Sequence, residues 1–265
     1  MTSQFALRSA VCAAALLSAP AALADVTAAE VWDNWKANLS LYGAEGVSIG
    51  SEDVSGGTVT VSDLVLTMTD EDATITTSVG TLVFEEQGDG TVAVTMPESY
   101  PIEIVDPDEG VEVSLLLTQD NMNMIVSGDP DAMNYDFTAD SYEFRVADIR
   151  SDENFDGDIV MTAQGLSGSY QTDITDGLNT SFAMAASSLD VLVDVKEPGG
   201  DGYVVLSGQM ADLVTDGTIM LPEGADLNDP DSFAGDFTFD TDTSFGQTGF
   251  VFDVDAVARS RNLAH

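Results

Sequence analysis

The chain has 265 residues but one cysteine, Cys12, and one histidine, His265, and its 7 Lys and Arg stand against 47 Asp and Glu. Each shortage removes a class of function. Without histidine or cysteine in its body, the chain cannot build a Ser-His-Asp triad, a thiolate nucleophile, a structural zinc site or a histidine-ligated haem. A formal net charge of −40 excludes a nucleic-acid partner, because affinity for a phosphate backbone depends on Lys and Arg displacing condensed counterions. The same charge argues against docking on an anionic membrane surface. No apolar run reaches the ~20 residues that span a bilayer, so no transmembrane anchor is expected.

Residues 1–24 carry what the rest lacks, a hydrophobic segment led by a base. Arg8 precedes an apolar run from Ala10 to Leu17, Pro20 breaks it, and Ala22-Leu23-Ala24 supplies a small-residue cleavage site before Asp25. This pattern predicts a signal peptide cleaved after Ala24 and a periplasmic or secreted protein. Residues 25–265 are expected to form a single β-rich domain, with the last eight residues as an atypical tail. That domain contains no cysteine, so packing alone must hold it together outside the cytoplasm.

The mature chain opens on a helix signal. Thr27 and Glu30 have the spacing of a capping box, and Val31, Trp32, Trp35, Leu39 and Tyr42 recur at three- and four-residue steps up to Gly43. Such an aromatic stripe is expected to face a sheet. From residue 47 the period changes to two. Val59 and Val61 alternate with threonines, after which Leu64, Leu66 and Met68 take over in the other phase, predicting a bulge near Ser62-Asp63. Further alternations run through Val92–Met96, Val111–Leu117, Met122–Val126, Tyr142–Val146, Ile159–Ala163, Leu189–Val195 and Phe250–Val254. Turn signals separate them: Gly88-Asp89-Gly90, Gly199-Gly200-Asp201-Gly202 and Thr215-Asp216-Gly217. The expected fold class is all-β and mainly antiparallel: a long meandering curved sheet, a sandwich or an open barrel, with one N-terminal amphipathic helix.

Two stretches repeat. Asp129-Pro130-Asp131 through Asp140 returns as Asp229-Pro230-Asp231 through Asp240, and the pattern predicts an Asp cap, one helical turn and a strand. Leu166-Ser167-Gly168 and Leu206-Ser207-Gly208 begin a second pair, each ending in Thr-Asp-Gly. The two pairs share no period, so a solenoid is not indicated.

Carboxylates dominate the remaining chemistry. An aspartic-protease dyad needs two Asp-Thr/Ser-Gly turns, and Asp140-Ser141-Tyr142 and Asp240-Thr241-Asp242 lack the glycine. A glycosidase pair has no specific signature among so many acids. A Ser-Lys nucleophile would have to use Lys36 or Lys196, and neither lies in a motif. Calcium has the better pattern: Asp152, Asn154, Asp156 and Asp158 alternate as oxygen ligands around Gly157, although Ala163 stands where an EF-hand loop needs its closing Glu. An acidic hairpin turn explains the same residues. Met122, Met124, Met133, Met161, Met184, Met210 and Met220 fall near strand positions. They suit either an ordinary core or the adaptable lining of a hydrophobic-ligand groove.

A family resemblance rests on residues 25–36 (Asp25 to Lys36), Ser55-Gly56-Gly57 through Leu64, Ser127-Gly128-Asp129 through Met133, and Leu221-Pro222-Glu223 through Leu227. Together these segments resemble the exported alphaproteobacterial family known as domain of unknown function 2125. The resemblance implies an exported, β-rich protein and transfers no activity, since its motifs are turns and caps. Members of that family look longer. The basic end, with Arg259, Arg261 and His265, then suggests a truncated member, with a genuine short tail as the alternative. The expected function is a non-enzymatic periplasmic protein of structural or binding role, with a groove for hydrophobic ligands such as lipids or a contact with an envelope protein. A calcium-dependent extracellular binding module is the alternative, and a carboxylate hydrolase comes last. No cofactor is expected unless the Asp152–Asp158 turn takes up calcium.

Overall fold

The computed structural model describes residues 25–39, 46–69, 73–151, 156–173, 177–197, 201–222, 225 and 237–255. Residues 1–24, expected to be a signal peptide, Tyr42, Gly43, Asp152, Asn154, positions 229–236 of the second Asp-Pro-Asp copy and the basic tail lie outside these residues. Helix α1 (Ala28–Leu39) is followed by β1 (Val47–Ser48), β2 (Ser51–Ser55), β3 (Thr58–Thr69), β4 (Thr74–Glu86), β5 (Val92–Thr95), β6 (Ser99–Asp106) and β7 (Val111–Asp120). The remaining strands are β8 (Asn123–Asp129), β9 (Ala132–Arg150), β10 (Asp156–Asp173), β11 (Leu178–Lys196), β12 (Tyr203–Leu221), β13 (Thr238–Ser244) and β14 (Thr248–Asp255). All pairings are antiparallel and all belong to one sheet, which is curved and does not close into a barrel. Of the three expected architectures, the long curved sheet is the one formed.

The fourteen strands reduce to a simpler plan. β5 and β6 lie end to end along β4, β7 and β8 along β9, and β13 and β14 along β12. β1 and β2 likewise share β3. The sheet is therefore ten full-length passes, each paired with the passes next to it in sequence. Successive passes run antiparallel, which explains the regular spacing of the turn signals.

Helix α1 forms where its sequence signals place it. The Thr27 amide donates to Glu30 Oε2 at 2.9 Å, and the Glu30 amide donates to Thr27 Oγ1 at 3.2 Å, closing the capping box. Its aromatic stripe packs on the sheet: Trp32 is buried, and the Trp32 and Trp35 rings meet Phe84 at 5.6 and 5.2 Å between centroids. The buried core gathers beneath the helix, with Val59, Val61 and Leu64 of β3, Leu82 and Phe84 of β4, Val92 and Val94 of β5, Val126 of β8 and Tyr135 of β9.

Two turn readings are corrected. Pro130-Asp131 is the two-residue tip of a hairpin, with Asp129 paired to Ala132, so no helical turn forms there. Two strands in strict register leave only two residues to reverse the chain, and Pro pre-sets φ for the first of them. Thr215-Asp216-Gly217 is the middle of β12, where Gly217 lies directly opposite Phe182 of β11. A Cβ on Gly217 would come within 2.9 Å of the Phe182 ring, so this glycine makes room for a ring rather than a turn. Gly168 opposite Phe137 and Gly208 opposite Phe250 repeat the arrangement.

Candidate functional site: an uncharged sheet face beside a crease

The bulge expected near Ser62-Asp63 is present. Asp63 has φ 55° and Gly80 of β4, the partner of Leu64, has φ 78°, with register shifts on both sides of Leu64. The slip keeps both apolar phases on one face. Val61 and Leu64 are both core residues, and Val79 packs against the same core as Leu82.

The same slip recurs at mid-height across the whole sheet. In β9 the inward set changes from Met133, Tyr135, Phe137 and Ala139 to Tyr142, Phe144 and Val146. In β10 it changes between Ala163 and Leu166, in β11 between Ala186 and Leu189, and in β12 between Met210 and Leu213. Gly165 (φ 58°) and Asp212 (φ 52°) adopt at these points the left-handed conformation of Asp63. Gly165 faces Asp140, and Asp212 faces Ser187; both pairs drop out of ladders whose register is the same above and below. Since directly paired residues point to the same face, a slip in one strand is carried by its neighbours. In the other passes the crease falls at the breaks between strands: Ile49-Gly50, Met96–Glu98, Asn121-Met122 and Phe245–Gln247. Gln119 spans one break by donating from Nε2 to the Pro97 carbonyl at 2.7 Å. Asn121 (φ 51°) spans the next by donating to Asp140 Oδ2 at 2.7 Å.

In one half of the sheet, on the side of the Gln87–Thr91 and Gly128–Asp131 turns, α1 packs on β3 and β4 and reaches as far as β10. Asn34 reaches across it: the Tyr135 hydroxyl donates to Asn34 Oδ1 at 2.8 Å and the Thr172 hydroxyl at 3.4 Å. Tyr135 and Tyr170, direct partners in β9 and β10, stack with centroids 4.4 Å apart. Burial raises both phenol pKa values well above the usual tyrosine range.

In the other half nothing among the described residues lies over the inner face. Register runs one unbroken row through Ile102, Leu115, Val146, Ile159, Val193 and Leu206 to Phe252. The next row runs through Tyr100, Leu117, Phe144, Met161, Val191 and Gly208 to Phe250. From β6 to β14 the one charged residue in the inward phase of this half is Asp106, at the very end of β6, whose carboxylate accepts from the Asp108 and Glu109 amides of the turn. Exposure rises toward the last pass: Met161 is 40% exposed, Phe250 54% and Phe252 68%. Next to the crease, Tyr100 and Tyr142 interact and burial raises the pKa of both.

The outer face takes the charge. Glu143, Thr162, Asp190 and Gln209 form a polar row, with Gln209 Nε2 donating to Asp190 Oδ1 at 2.7 Å. The bases of this half are on the same side and engaged: Arg145 with Glu143 and Asp158, Arg150 with Glu112 and Asp148, Lys196 with Asp156. The candidate calcium ligands belong here. Asp156 and Asp158 start β10 on the outer face, at 3.5 Å from Lys196 Nζ and 3.5 Å from Arg145, and Asp158 lies opposite Asp194. Metal ligation by Asp156 and Asp158 would have to displace both bases. No cluster of three or more metal-ligating side chains is present among the described residues.

The methionines divide between core and face. Met124 and Met133 are buried, Met161, Met184 and Met210 point inward from the sheet, and Met220 points outward at 48% exposure. Sequence reasoning did not single out the aliphatic rows that make the face: the alternations of β7, β9, β10, β11 and β14 were legible, but those of β6 and β12 were not. No helix among the described residues is long and apolar enough to cross a membrane. No protein-family model, curated protein or solved structure matches the chain.

Proposed function

We propose that this is an exported, non-enzymatic binding protein of the bacterial periplasm, which holds the hydrocarbon part of a ligand on the uncovered half of its inner face. One observation carries the reading: seven consecutive passes contribute aliphatic and aromatic side chains to a face whose one charge, Asp106, stands at its edge, while the outer face of the same strands is acidic. An apolar surface of that extent is the signature of a binding site in a soluble chain. A non-enzymatic role is supported by the placement of the acids, which among the described residues stand on the outer face and at turns; where three of them, Asp216, Asp240 and Asp242, line a shared pocket, it lies on the paired strands β12 and β13 and away from the apolar rows. The resemblance to exported proteins and the leader-like residues 1–24 support the compartment.

The test is organic extraction of protein purified from the periplasm, followed by mass spectrometry, with uptake of an apolar fluorescent probe by the extracted protein as a second measurement. Co-purifying lipid together with probe uptake is the expected result. Protein that carries no lipid and takes up no probe would overturn the proposal.

A further inference from the structure

The charge around the uncovered face selects among amphiphiles, and this inference rests on the reading of that face as a ligand site. A hydrocarbon chain lying on it places its headgroup at the rim formed by the turns at that end of the sheet. Asp106, Asp108 and Glu109 form the β6–β7 turn there, and Asp201 and Asp255 stand at the ends of the last passes. Arg150 and Lys196 are the bases near this rim. Both project from the outer face and are held by carboxylates, Arg150 by Glu112 and Asp148 and Lys196 by Asp156. An anionic headgroup would therefore meet several carboxylates and no uncommitted cation among the described residues, and the face offers no inward base to neutralise it.

We infer that the occupant is an amphiphile without net negative charge, zwitterionic or neutral at its headgroup, and that anionic lipids and free fatty acids are excluded by the rim. The dimensions suit a chain laid along the strands. Half a pass, Gly157 to Ala163, is about 20 Å long at ~3.3 Å per residue, and the apolar rows extend across about 30 Å of strands spaced ~4.8 Å apart. The discrimination is electrostatic and acts through solvent, so it weakens as salt shortens the screening length from ~10 Å at 0.1 M to ~3 Å at 1 M.

Equilibrium dialysis with the full chain, using palmitoyl lysophosphatidylcholine and palmitoyl lysophosphatidylglycerol below their micellar concentrations, separates headgroup from chain. The expected result is at least about tenfold tighter binding of the zwitterionic lipid at low salt, with most of the gap closing at 1 M. Converting the exposed turn with Asp108→Lys and Glu109→Lys, with Asp106 kept because its carboxylate accepts from both turn amides, should raise affinity for the phosphatidylglycerol lipid relative to the choline lipid. Equal binding of both lipids, or a ratio that the turn variant does not move, would overturn the inference and leave the face as a ligand site. Binding of neither lipid, with no uptake of the apolar probe, would instead remove the ligand site itself.

Discussion

Gly165 offers a test in which the sign of the effect decides. In an ordinary strand a glycine interior to the pairing weakens the sheet, and replacing it with alanine gains about 0.5–1 kcal/mol by restricting the unfolded chain. Gly165 lies instead at φ 58° in the crease, and a Cβ built there stands 2.7 Å from Ser187 Oγ. Alanine in the left-handed region costs about 1–2 kcal/mol. Relieving the collision also requires Ser187 to abandon the hydrogen bond it donates to the Gln164 carbonyl at 2.7 Å, worth about 0.5–1.5 kcal/mol. Setting the entropic gain against these losses leaves Gly165→Ala destabilised by about 2 kcal/mol, measured by urea unfolding followed by circular dichroism. Repeating the substitution in a Ser187→Ala background should recover the part due to the collision, and the coupling is read directly from the double-mutant cycle. Asp212→Gly, at φ 52° in β12, should go the other way and gain up to about 1 kcal/mol. A Gly165→Ala protein that is more stable than the parent would refute the crease as an enforced conformation.

Other consequences are simpler to measure. Asn34→Ala removes the acceptor of the buried Tyr135 hydroxyl and should cost about 1–3 kcal/mol in the same unfolding assay. Thr27→Ala opens the capping box and should cost about 1 kcal/mol. Tyr135, Tyr142 and Tyr170 all have phenol pKa values raised by burial, so the folded protein holds these protons more tightly than the unfolded chain, whose tyrosines ionise near ~10. Their contribution is therefore complete below pH ~10 and is lost as the pH climbs above it. Tyrosinate absorbance from these three residues should rise together with alkaline unfolding, and titration of all six tyrosines in a still-folded protein would contradict their burial.

The parts of the fold that depend on neighbouring residues were legible in the sequence. Thr27 with Glu30 marked the helix start, the apolar stripe marked its buried side, and the alternations marked most of the strands. What could not be read was long-range. Gly217 looks like a turn residue until Phe182 is placed opposite it, and that pairing depends on register between distant positions. The Pro130-Asp131 tip carries the same residues as a helix start, and only the pairing of Asp129 with Ala132 selects the hairpin. At the candidate site, each row of the face takes a single residue from each strand, so no window of sequence contains it. The calcium pattern failed to be decisive for the converse reason: alternation along β10 placed Asp156 and Asp158 on one face, but Lys196 and Arg145 come from neighbouring strands.

The crease also predicts how the sheet responds to shortening. Removing Gly165 alone would turn β10 into a regular strand in which Ala163 and Leu166 still face inward, two residues apart. The neighbouring strands would keep their extra residue, so half of β10 would slip by one position against both β9 and β11, turning its inward set against their outward set. Removing one residue at the same height from each of β9, β10, β11 and β12 (Asp140, Gly165, Ser187 and Asp212) would keep every pairing between them. The outer limits of that block are the breaks at Asn121-Met122 and Phe245–Gln247, where unpaired residues can absorb the change. The fourfold deletion should therefore unfold more cooperatively, and at higher urea, than the single deletion of Gly165. Additive losses, with the fourfold deletion the least stable of the set, would mean that the slips act strand by strand and not as one feature of the sheet.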